Sequence, residues 1–70
     1  MDYNYAAYQA QIELKAAARA MSEAADKAHF PHLAGIALRH TNAAMRKLAA
    51  AQFRLMQAES DYKAAQRLKE

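Results

Sequence analysis

Alanine recurs every seventh residue at Ala37, Ala44, Ala51, Ala58 and Ala65. Thr41, Leu48, Leu55 and Tyr62 occupy the complementary positions between them. This sustained 4-3 alternation predicts a helix with one seam turned toward another helix. A second run of the same spacing takes in Tyr3, Ala7, Ala10, Leu14, Ala17, Met21, Ala24 and Ala28. It predicts a first helix over about 2–28, with Asp2 as its N-cap. The second helix is expected over about 36–68. In both seams one position is repeatedly the smallest side chain that favours helix, so the two backbones are expected to come close.

The break between them is His29-Phe30-Pro31-His32-Leu33-Ala34-Gly35, which holds the only proline and the only glycine. Proline disfavours helix in the residue before it, so the first helix should end by Phe30. Pro31 then suits the first position of the next helix. Alternatives are a loop through Gly35 with a start near Ile36, or a later start capped at Thr41-Asn42.

Two long helices with one short break predict an all-α fold: an antiparallel two-helix hairpin occupying residues 1–70 as a single domain. Its rival is one extended helix kinked at Pro31, with seams paired between chains. One hairpin register sets Leu14 against Ala51, Met21 against Ala44 and Ala17 against Leu48, large on small throughout. A tighter turn shifts the register by three and sets Leu14 against Leu48.

The flanks of the seam differ. One carries Glu13, Lys27, His40, Lys47, Arg54 and Asp61, with Glu13 placed to meet Arg54. The other gathers Ala18 and Ala25 with Leu38 and Met45, and farther out Tyr8, Ile12, Ala49 and Met56. An apolar face of that width marks an interface. Tyr8, Ile12, Leu38, Met45, Ala49 and Met56 are the candidate dimer contacts, closing two hairpins into a four-helix bundle. A partner protein lying on this face is the alternative occupant. Tyr3 is expected in the seam and Tyr5 outward near Ile12, and the crowded tyrosines also suit a protein-binding patch at the open end.

Composition strengthens the case for association. Seventy residues make a marginal domain, no cysteine is present, and much of the 54% hydrophobic content is alanine, which buries little area. No apolar run reaches the ~18–20 residues of a membrane span. The start of the chain lacks the basic and apolar regions of a signal peptide, so a cytoplasmic setting is expected.

A net charge of +3 is too small to establish nucleic-acid binding. The charge is unevenly placed, however. Residues 30–70 hold seven Lys and Arg against three acids, and residues 1–29 hold three against four. Arg39, Arg46, Lys47, Phe53 and Arg54 are therefore the candidate contacts for an acidic protein partner, Phe53 having no core role in a hairpin. The same basic face suits RNA or DNA as a second class of partner.

Other chemistry is sparse. Asp26, His29 and His32 have the spacing of a partial metal site, with His40 the one further histidine. They fall at a turn, where polar residues are common, and no metal or other cofactor is expected. Ser22 and Ser60 have no histidine at helical spacing, and Glu59 and Asp61 face different directions, so no catalytic residues are assigned and an enzyme is not expected.

In architecture the arrangement resembles the plasmid repressor-of-primer hairpin, through its alanine seams and chain length. That resemblance implies a dimeric four-helix bundle that binds RNA, and no residue motif accompanies it. The reading reached from the residues is a non-enzymatic regulator. It is a homodimeric hairpin that binds another protein and inhibits it by occlusion, as expected of a phage or mobile-element accessory factor. A structural subunit of a larger helical assembly is the remaining alternative.

Overall fold

The computed structural model describes residues 3–69, with side chains from Asn4 onward. The expected cap at Asp2 and the seam role of Tyr3 lie outside what it describes. Helix α1 spans Tyr3–Ala28, a single 3-10 turn covers Pro31–Leu33, and helix α2 spans Ala34–Lys69. The helices pack side by side, with Cα extents of 59 × 14 × 13 Å. The chain is thus an all-α antiparallel hairpin, and α1 and α2 are separate helices rather than one kinked rod.

The reversal follows from local chemistry. Phe30, preceding proline, is held extended at φ −111° and ψ 119°. Its amide N–H still donates to the Lys27 carbonyl at 3.1 Å, closing the end of α1. Its carbonyl accepts from the Leu33 N–H at 2.9 Å, opening the next turn. Pro31 takes the first position of that turn, where its missing N–H loses nothing. Because the turn runs directly into α2, the second helix begins at Ala34, ahead of the expected 36. Gly35 lies within the helix, not in a loop. Thr41 does not cap a helix, since its hydroxyl donates to the Leu38 carbonyl at 2.7 Å inside α2.

Among the described residues, every buried side chain is an alanine: Ala6, Ala10, Ala17 and Ala24 on α1, Ala37, Ala44 and Ala51 on α2. The heptad alanines are therefore the contact line. The larger seam residues are not inside it. Leu14, Met21, Leu48, Leu55 and Tyr62 are each 40–47% exposed. Ala7 and Ala28 are exposed as well, and Ala6 takes the place expected of Ala7.

Two features explain the difference. Half-buried Ala16 and Ala20 flank the line on α1, and half-buried Ala43 and Ala50 flank it on α2. Turning these faces together lets the backbones approach more closely than Leu14 or Met21 would allow, so the large side chains move to the rim. The short reversal also selects the tighter register. Lys47 Nζ lies 3.8 Å from Glu13 Oε2. Leu14 and Leu48 line one groove, and Met21 and Thr41 another. Alanine thus runs against alanine, Ala10 toward Ala51 and Ala24 toward Ala37, and the expected large-on-small pairing is replaced.

The register shift also moves the partner of Glu13 by one heptad, from the expected Arg54 to Lys47. Both side chains remain partly exposed, at 23% and 51%. Glu13→Gln should therefore change stability by less than about 1 kcal/mol, checked by urea melts. Two further pairs, Glu23–Lys27 and Glu59–Lys63, sit one helical turn apart at 3.7 Å, with the acid in the favourable N-terminal position.

The helices are unequal. α1 has 26 residues and α2 has 36, so α2 continues about 15 Å beyond the described start of α1. Arg67 and Lys69 in its last turn suit the negative end of the helix dipole.

Candidate interaction faces

Moving the large side chains to the rim broadens the apolar flank. Leu38, Met45 and Met56 project from α2 with 62–65% of their surfaces exposed. They are spaced by seven and eleven residues, both close to whole numbers of turns, so they form one line along the helix. Leu14, Met21, Leu48 and Leu55 lie beside them at the rim. Of the other candidate dimer contacts, Ala49 is exposed next to this line. Tyr8 and Ile12 are exposed on α1, at 59% and 49%.

Two open grooves indent this flank. The one near the reversal, about 480 Å³, is floored by Ala24, Ala25, Ala28, Ala34 and Ala37 and edged by Met21, Leu38 and Thr41. The other, about 460 Å³, lies between Leu14, Leu48, Gln52, Leu55, Met56 and Glu59. The first is a hollow among small side chains. The second is framed by bulky ones. Leu14, Met21, Leu48 and Leu55 were assigned to the seam by their spacing. The signal that would have moved them outward is the extra alanine at 16, 20, 43 and 50.

The basic candidates divide into two groups. Arg39 and Arg46 are exposed, and Phe53, one heptad beyond Arg46 on the same face, is 68% exposed. Lys47 and Arg54 lie nearer the contact line, Lys47 held by Glu13 and Arg54 half-buried. A shallow hollow of about 320 Å³ joins Glu13, Ala43, Arg46, Lys47 and Ala50. This flank offers fixed positive charge and one aromatic ring, with an acid already neutralising part of it.

At the reversal His29 and Phe30 meet edge to face, with ring centroids 5.1 Å apart, and His32 tilts against Phe30 at 5.8 Å. All three rings are exposed at the reversal. Among the described residues, no group of three His, Cys, Asp or Glu side chains is placed to hold a metal ion. At the open end the Gln9 side-chain N–H donates to the Tyr5 hydroxyl at 3.0 Å, and Tyr5 is 61% exposed, facing outward as expected. No described helix is long and apolar enough to cross a membrane.

No family model, no curated protein and no solved structure matches this chain.

Proposed function

We propose that this hairpin is a non-enzymatic cytoplasmic interaction protein that works as a homodimer and inhibits another protein by occluding part of its surface. The observation that carries the reading is the inversion of its core. Among the described residues alanine alone is buried, while Leu38, Met45, Met56 and the rim leucines are exposed. A chain of this size gains little from methyl burial alone, and association is the usual remedy. The apolar flank is the surface for the second copy. The opposite flank, with Arg39, Arg46 and Phe53 outward, is the surface for an acidic protein partner, where charge steers encounter and the ring anchors contact.

Arg46→Glu tests the partner surface. Its side chain is exposed and the charged groups around it are Lys47 and Glu13, so the fold should be unaffected by circular dichroism. Capture of acidic proteins from host lysate at low salt should drop at least tenfold relative to the parent chain. Equal capture by the two chains would remove this flank from consideration.

A further inference from the structure

The apolar flank changes character along its length, and the change has a direction. Near the reversal it is a hollow with an alanine floor, about 480 Å³ in extent. Toward the open end it bears Leu48, Leu55 and Met56 around the second groove. Met45 stands midway between the hollow and the bulky end, 65% exposed. We infer that two copies of the hairpin pack flank to flank and head to tail, about a twofold axis that passes beside Met45. The inference rests on the proposed self-association and adds its geometry.

In that arrangement α2 of one copy lies antiparallel on α2 of the other. Leu55 and Met56 of each copy then enter the alanine-floored hollow of its mate. Leu38 of each copy comes onto the groove beside Gln52, and the two Met45 side chains meet at the axis. Small surface faces large surface at both ends, which is what dense packing requires. The alternative, with the reversals side by side, sets hollow against hollow and leaves a void, while bulky side chains collide at the other end.

The area suffices. Leu14, Met21, Leu38, Met45, Leu48, Leu55 and Met56, at 40–65% exposure, offer on the order of 700 Å² of apolar side chain. With the alanines between them, this matches the roughly 800 Å² per partner of a stable interface. The interface has an isologous, closed symmetry, so it ends at two copies.

The experiment is a distance between spin labels. The chain has no cysteine, so His32→Cys gives one labelling position, exposed at the reversal and not among the residues that line either groove. Residue 32 is thirteen residues from Met45. At 1.5 Å per residue, two labels in the head-to-tail pair should lie about 40 Å apart. Double electron–electron resonance on the purified protein reads this directly. A single distance near that value is the expected result. A distance under about 25 Å would overturn the orientation while leaving the dimer in place. Absence of dipolar coupling would overturn self-association itself.

Discussion

Replacing Ala51 with leucine should destabilise the hairpin by about 1–3 kcal/mol per chain. Ala51 is 1% exposed, and the register that joins Glu13 to Lys47 sets it opposite Ala10, which is fully buried. Alanine-on-alanine layers leave no flexible side chain that could swing aside, so the three added carbons must push the backbones apart. That movement strains the neighbouring layers of the alanine core. In a chain of this size each kcal/mol corresponds to roughly 4–8 °C, so the melting temperature should fall by about ten degrees at fixed protein concentration. The same change at Ala64, exposed and outside the proposed interface, serves as the control for leucine on a helix. Equal melting of the parent chain and Ala51→Leu would mean that α1 and α2 are not in close contact.

Met45→Asp should convert the dimer to monomers. Met45 lies beside the proposed axis, so the substitution sets two carboxylates facing each other in a desolvated interface. Like charges so placed cost several kcal/mol, on the order of a thousandfold in dissociation constant. The hairpin itself should keep its helicity, because Met45 is 65% exposed and lies outside the buried alanine line. Sedimentation equilibrium reads the outcome as a fall in mass from two chains to one at micromolar protein. A mass unchanged by the aspartate would place the interface elsewhere.

Much of this architecture was legible in the heptad alanines. Ala10, Ala17, Ala24, Ala37, Ala44 and Ala51 stood out by spacing alone, and they are the buried line. The reversal was legible too, because Phe30-Pro31 restricts the backbone whatever surrounds it. The rotation of the helices about their own axes was not. Spacing marks Leu14 and Ala10 equally as seam, and only the competition between closeness and bulk decides which is buried. Here closeness prevailed, since Ala16, Ala20, Ala43 and Ala50 made it available. Register failed for a related reason. The tighter turn differs from its rival by three residues, and both keep alanine in the seam, so Glu13 met Lys47 and not Arg54. On the basic flank, helical spacing already set Lys47 and Arg54 beside the seam; what it left open was which of the two Glu13 would hold.

The unequal lengths of α1 and α2 bear on how such a molecule would engage its target. In a head-to-tail pair, each copy's α2 projects past the bend of its mate, carrying Lys63, Arg67 and Lys69 beyond the described start of α1. Symmetry makes the two tips chemically equal and sets them at opposite ends of a stiff rod. The same twofold would present the proposed Arg39, Arg46 and Phe53 surface twice, so a target with paired docking points would be held at both. The second contact would be intramolecular, so modest affinity at each surface would multiply into tenacious attachment.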